Sequence, residues 1–551
     1  MRMLRAIDQY WHTLRHLRAV QFYGRLGFRL SRPVPDLAPV PSRRSRTAGW
    51  TAPAVRTPSM TAAGEFLFLA ERGSLAELGW DGPQREKLWR YNQHYFDDLN
   101  ARDARERTAW HLALIENWVE LNPPGRGTGW EPYPTSLRMV NWVKWALAGN
   151  YIAQAERSLA IQARWLSRRL EKHLLGNHLL ANAKALAFAG LYFDGSEAAG
   201  WLRVGETLLD RELAEQVLAD GGHFERSPMY HLIILEDVLD LVNLYRCFGR
   251  PIPDRWLKYV DRMLSWSRVM RHPDGEIAFF NDAAFDIAPT PAELDAYAAR
   301  LGWAVARDEG RLPFTFLNAS GYGRMTAGPA TVLVDIAPLG PDYLPGHGHA
   351  DTLSFELSLG ADRLIVNGGT SIYGRGRERL RQRSTAAHAT VVVDGVDSSE
   401  VWSGFRVARR ARITEAEMRP SGTSIRAVGA HDGYNRLPGR PTHRRTWLLS
   451  ADSLRITDEI LGQGVHSMEI VFPLAPGFVP QRLADGSIVL QRGQEVAARV
   501  SFEPAEGGES IVEPASWHPR FGESTPAWRI RRLASGRLPL KHDTIFAWSS
   551  Q

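Results

Sequence analysis

Residues 345–355 read Pro-Gly-His-Gly-His-Ala-Asp-Thr-Leu-Ser-Phe, placing His347, His349 and Asp351 at alternate positions. In an extended segment, alternate side chains point the same way, so three titratable groups would converge at the head of a strand. Such a group can move protons or hold a cation, and Gly346 and Gly348 let the backbone approach a ligand closely. A hydrogen-bonded turn is the other use of the same residues. Downstream, Asn367-Gly368-Gly369 ends a strand, and His388 stands just before Val391-Val392-Val393. Imidazole nitrogens with a side-chain oxygen suit Zn²⁺, so His349 and His388 could hold one if their strands are neighbours. Two histidines with the amide oxygen of Asn367 make a poorer site than two with a carboxylate.

Earlier in the chain, Gly176-Asn177-His178-Leu179-Leu180-Ala181-Asn182 puts Asn177, His178 and Asn182 at a helix start. There they either cap the helix or face a cleft. Gly221 to His231 is a Gly-rich turn into a long helix, crowded with His223, Glu225, Arg226, Tyr230 and His231. Trp130-Glu131-Pro132-Tyr133, followed by Arg138, combines rings with a guanidinium able to grip a carboxylate in two places. A helix N-terminus with a buried Trp130 is the competing reading of that stretch.

The elements that must position these residues divide the chain in two. Trp110, Leu114, Ile115 and Trp118 recur at helical spacing, as do Leu137, Val140, Val143 and Leu147. Further helices are expected near 155–172, 178–192, 205–219, 229–248, 253–270 and 290–301. Thr290-Pro291-Ala292-Glu293 is a capping box that opens the last of these. From about Phe314 the period becomes two, with strand-like stretches at 353–357, 364–366, 391–393, 447–456, 468–472, 488–490, 497–502 and 528–532. Helices followed by strands, without alternation, indicate two segregated domains. The expected division is 1–60, a basic helix and a Pro/Arg-rich linker or wrapping arm; 61–310, helical; and 311–551, sheet.

Composition narrows the function classes. With 551 residues, 44% of them hydrophobic, the chain can bury at least one full core, and its length suggests two to four domains. Lys+Arg 67 against Asp+Glu 61 mildly favours an anionic partner. No zinc-finger spacing, RNA-binding strand motif or long basic block supports nucleic acid. The single cysteine, Cys247, excludes an internal disulfide framework and any cysteine cage for a metal. Residues 1–30 mix arginines with apolar residues and lack the apolar core of a signal peptide, so a cytoplasmic start or an unconventional export route is expected. That segment suits a helix docked on its own domain or one lying on a membrane surface. No run of 18 apolar residues occurs, so no transmembrane span is expected.

Six segments in consistent order resemble the heparinase II/III family of polysaccharide lyases. They are Trp89-Arg90-Tyr91-Asn92, Trp130–Trp142, Gly176–Asn182, Glu225–His231, His347–Phe355 and Arg383–His388, within a resemblance spanning residues 65–460. The resemblance implies an α+β multidomain chain: an incomplete α/α toroid, then an antiparallel β-sandwich, with the active site in the groove between them. By motif match, Asn177 falls where the family neutralises a uronate carboxylate, Tyr230 on its catalytic tyrosine and His347 on its catalytic histidine. His349 and His388 fall on metal-ligand positions. Asn367 replaces the usual third ligand, an Asp, and Ala389 stands where an Asn commonly follows the second metal histidine. A divalent metal, with zinc the expectation, would then fix the loop of His347 and would not act as a Lewis acid.

The implied reaction is β-elimination from an acidic, uronate-bearing polysaccharide. The proton on C5 is removable only once the neighbouring carboxylate is neutralised, a task for Asn177 helped by His178 or Arg138. Tyr230 and His347 would share the acid and base roles. Trp130, Tyr133, Arg138, His178, Asn182, Glu225, His231 and Arg383 are the expected substrate-binding residues. Two alternatives stay open. One is a glycoside hydrolase drawing its carboxylates from Glu225, Glu131 and Asp351. The other is a non-catalytic glycan-binding protein of an exopolysaccharide system.

Overall fold

The computed structural model describes residues 2–304, 312–503 and 508–549. Helices Arg2–Leu14 and Ala19–Leu30 lead into an extended arm, residues 32–59, that runs over the helical domain. Backbone bonds from Arg44 to Tyr192 (2.9 Å) and from Thr47 to Cys247 (3.0 Å) hold that arm down. Where the sequence reading expects helices to begin, a small meander intervenes: strands Met60–Ala62, Glu65–Phe68 and Glu71–Ser74. Phe66 and Phe68 alternate into the core there with polar or exposed neighbours, a period of two too short to read in the sequence.

The helices that follow include Thr108–Leu121, Pro132–Leu147, Ala153–Ser167, Gly176–Tyr192, Ser196–Gln216, Pro228–Cys247 and Asp254–Val269. They pack round one continuous apolar core containing Trp118, Trp142, Phe188, Leu235 and Trp256. Polar residues also tie the helices together: Lys184 bridges Asp237 and Asp240, both at 2.7 Å, and Lys144 reaches Asp240 at 2.8 Å. Full burial of these charges is tolerated because each is paired. Helix Pro291–Arg300 starts as its sequence demands, with Thr290 accepting from the Glu293 amide at 3.2 Å. Only half of the capping box forms, since the Glu293 carboxylate turns to Val55 N and Arg300.

The division expected at 310/311 lies outside the described residues; strands begin at Phe314. Five strands in sequence order form one antiparallel sheet, Phe314–Leu317 through Asp362–Ile365. An eight-stranded antiparallel sheet and a four-stranded one, which contains Val391–Val393, pack with it around a second core. Burial alternates residue by residue along Thr442–Leu449 and Ser453–Leu461, so each strand turns one face to the core. The single stretch expected at 447–456 is in fact the end of the first strand and the start of the second. Ser450 and Asp452 bond to each other and to Ser453 in the turn between them. No helix among the described residues is long and apolar enough to cross a membrane.

A third cluster joins the two domains, setting Trp266 and Val269 of the Asp254–Val269 helix, with Met270 just after it, against Leu317 and Leu333 of the five-stranded sheet and Ala337 beside it. The chain between, residues 270–286, lies across that sheet. His272 bonds Glu356 (2.7 Å) and Ser358 (2.8 Å), and Arg363 grips Asp274. This strap delivers Asp282 to the loop of the paired histidines.

Candidate active site

Tyr230 lies in the first turn of the Pro228–Cys247 helix, whose start is set by Ser227-Pro228. Ser227 Oγ accepts from the Tyr230 amide (3.2 Å), and proline occupies a position whose N–H would be unsatisfied anyway. The same hydroxyl donates to the Asp282 carbonyl, so the cap that begins the helix also fixes the strap. From the sheet domain, the 345–354 loop brings His347 against the Tyr230 ring, centroid to centroid 4.1 Å. Tyr373 completes the cluster with its hydroxyl 3.1 Å from that of Tyr230, and Phe405 packs edge-on to it. Burial, and then the neighbouring Tyr373, holds the Tyr230 phenol well above its ordinary range, so it is a proton carrier.

Asp282 organises the site, and nothing in the sequence singles it out. One of its oxygens accepts from His347 Nδ1 (2.9 Å) and the other from His349 Nε2 (2.8 Å). Arg379 grips it with two nitrogens, and Thr370 adds a 3.2 Å bond. Burial alone would raise this carboxyl; Arg379 and the two imidazoles outweigh it and keep it ionised, well below the usual range. An ionised Asp282 can only accept, so His347 donates to it from Nδ1. Nε2 lies 3.7 Å from the buried carboxylate of Glu225, which desolvation raises. The two histidines thus share a side, as alternate spacing suggests, but in a loop. Asp351 turns away to accept from the Asn281 amide at 2.8 Å.

Across the groove, helix Gly176–Tyr192 begins from two left-handed residues, Leu175 (φ 64°) and Gly176 (φ 56°). A side chain at Gly176 would collide with Leu344 of the histidine loop, so glycine permits the close approach of the two domains. Asn177 is 7% exposed and its amide has no side-chain hydrogen bond among the described residues, which leaves it free for a ligand. His178 stacks on Tyr133 (4.4 Å) and pairs with Glu171 (3.3 Å). Tyr133 continues to Tyr95 and Tyr91, a row of rings of the kind that pack against sugar faces.

Several expected binding residues are placed elsewhere. Trp130 is core, wedged between Trp118 and Trp165, its indole donating to Asn122 O. Arg138 is fully buried over the Trp118 ring and donates to Gln162 and the His94 carbonyl, so it cannot reach a substrate. Asn182 joins Ser136 to Glu171 inside the toroid. His231 donates to Met263 O and stacks on Trp266. Arg383 donates to the carbonyls of Gly348 and Gly404 and so braces the histidine loop. Polar residues beside functional ones in sequence fall on other helix faces, and spacing alone did not reveal which. Tyr373 and Arg379 went unnoticed because a tyrosine and an arginine in a loop carry no distinguishing pattern.

The expected metal set meets only in part. His349 Nδ1 and His388 Nε2 face each other at 3.1 Å, and their outer nitrogens donate to Asp282 and to the Ser384 carbonyl. The two inner lone pairs therefore need one proton or cation between them. Asn367, however, spends its oxygen on the Ala389 amide (3.1 Å) and its nitrogen on Ser354 (3.4 Å). Among the described residues no three His, Cys, Asp or Glu form a set that could hold a metal. Two nitrogens without a third protein donor do not fit a closed zinc site.

Comparison with known proteins places the whole arrangement. Residues 85–294 match the family described as Heparinase II/III N-terminus, and residues 309–546 match Heparinase II/III-like, C-terminal. FtsZ-localized protein C of Caulobacter vibrioides is 27% identical over 422 residues, 71% of this chain and 68% of that protein. A heparin-sulfate lyase of Bacteroides stercoris is 26% identical over 62% of this chain and 52% of its own length, so the chain spans about half of that enzyme. The crystal structure of heparan sulfate lyase HepC from Pedobacter heparinus superposes with a TM-score of 0.59 at 16% identity, covering 97% of this chain and 88% of that one. At that identity the likeness establishes the fold: helical toroid followed by β-sandwich.

Proposed function

Because the chain belongs to the heparinase II/III-like family, we propose that it is a polysaccharide lyase cleaving an acidic, uronate-containing glycan by β-elimination. The observation that carries this reading is the contact of Tyr230 with His347 across the domain boundary, with His347 Nδ1 held by Asp282. Asn177 would donate its unpartnered amide to the uronate carboxylate, lowering the barrier to C5 deprotonation. His347 Nε2 takes that proton. Tyr230, held protonated, gives its own to the departing glycosidic oxygen, and Tyr373 re-orients the hydroxyl. Both carboxylate and proton donor are then met in one groove, with the Tyr133 and Tyr95 rings beside it.

Hydrolysis fits the geometry less well. Asp351 is buried on Asn281, and Glu131 is engaged by Tyr91 and Lys87, so neither of them supplies Glu225 with a partner carboxylate across a scissile bond. A second, non-catalytic reading is favoured by one observation: the Caulobacter relative is named for localisation with FtsZ and not for a reaction. A panel of heparan sulfate, alginate, hyaluronan and bacterial uronans, followed by the ultraviolet absorbance of the unsaturated product, tests the lyase reading. Absorbance growth that Tyr230→Phe abolishes supports it. Reducing ends appearing without absorbance point to hydrolysis, and no cleavage of any uronan favours the binding protein.

A further inference from the structure

The first two helices each turn a stripe of large apolar residues outward. Several contacts that tie them to the rest of the chain are polar: Thr13 Oγ1 accepts from Trp402 (3.1 Å), Gln21 donates to the Tyr343 carbonyl (3.1 Å), Arg18 pairs with Glu215, and Asp8 with Arg409 (2.6 Å). Val20 packs on the helical core, Tyr10 meets the Trp402 ring and Phe28 lies on His173, while the remaining large apolar residues described in the two helices turn to water. On the first helix Ile7, Trp11 and Leu14, spaced four and three apart, form one stripe, with Trp11 64% exposed. On the second, Phe22, Tyr23, Leu26 and Leu30 form another, and Leu26 and Leu30 are 60% and 73% exposed. A soluble surface rarely leaves such stripes uncovered, and a helix docked only on its own domain would turn them inward.

The charge around the stripes identifies what covers them. Residues 1–32 hold seven arginines and one acid, Asp8, which Arg409 already neutralises. Arg25, Arg29 and Arg32 are exposed and form no ion pair among the described residues. A second copy docked by a two-fold axis would bring two such basic surfaces together. Exposed Trp11 and Tyr23 have the mixed character that settles at the level of lipid headgroups. We propose that helices Arg2–Leu14 and Ala19–Leu30 dock this protein on an anionic bilayer surface, apolar stripes among the upper acyl chains and arginines among the phosphates.

Co-sedimentation of the full chain with vesicles tests this, using phosphatidylglycerol and phosphatidylcholine in equal parts against phosphatidylcholine alone. The expected result is binding to the anionic vesicles at least about tenfold tighter than to the zwitterionic ones and weakened by salt, since each arginine near the surface contributes roughly fivefold. Leu26→Glu/Leu30→Glu and Arg25→Glu/Arg29→Glu should each weaken it by about tenfold or more at unchanged melting temperature, because all four side chains are exposed. Equal binding to both vesicle types, no binding to either, or full binding by either variant would overturn the proposal. So would a lipid-free dimer, seen by sedimentation velocity, that Leu26→Glu/Leu30→Glu dissolves, because the stripes would then be a subunit contact.

Discussion

A single carboxylate, Asp282, receives His347 Nδ1 at 2.9 Å and His349 Nε2 at 2.8 Å, so the two histidines of one loop are oriented by a residue from the other domain. The base of the proposed reaction is therefore set by the way the domains dock.

Asp282→Asn removes the acceptor that fixes the His347 tautomer and leaves Arg379 buried without its counterion. The expected loss in kcat is at least about a hundredfold, with little change in KM, because Asp282 acts through His347. Stability should fall by about 3 kcal/mol from the stranded guanidinium. Steady-state rates and urea unfolding measure both, and a kcat near wild type would remove Asp282 from the mechanism.

Tyr230→Phe keeps the ring against His347 and deletes only the hydroxyl. Loss of activity by at least about a hundredfold is expected with an unchanged melting temperature, while Tyr373→Phe should cost about tenfold. If Tyr373→Phe proves the more damaging, the proton donor has been assigned to the wrong tyrosine.

The donors around His349 and His388 do not complete a metal site, so dialysis against a chelator should alter neither the melting temperature nor turnover. His349→Ala, by contrast, should lower both together, since it cuts the loop from Asp282 and from His388. Metal analysis of the purified protein showing one equivalent of zinc would contradict this.

Buried histidines, His94 and His231 among them, should make stability depend on pH. Burial pushes His94 and His231 down to about 3, so both stay neutral in the folded protein where the unfolded chain, near 6.5, already takes protons. Their folded pKa lies below the unfolded one, so their contribution is complete above about pH 6.5 and is lost as pH falls toward 3. Each should remove about 1.4 kcal/mol per pH unit in that window. Urea midpoints at pH 7, 6 and 5 check the slope, and His231→Gln should flatten it by one residue's share. A pH-independent midpoint over that range would show that these imidazoles are not desolvated.

Much of this protein could be read without coordinates. Periodicity of 3.6 and then of two is a local consequence of burying one face, so a helical half, a strand half and their order follow from side-chain pattern. Ser227-Pro228 and Thr290-Pro291 act within one helical turn and mark their helix starts directly. His347 and His349 stood out because two imidazoles at alternate positions between glycines are rare in a loop with no task. Other things only the docking of the domains decided. Asp282 lies 65 residues from His347 and meets it because Trp266, Val269 and Met270 bury themselves against the sheet. Arg138, Asn182 and His231 have the side chains of a binding site but point from their helices into the core. Sequence settles which residues share an element, since that is a matter of spacing. It leaves open which elements share a site, because that depends on long-range packing energy spread over many side chains.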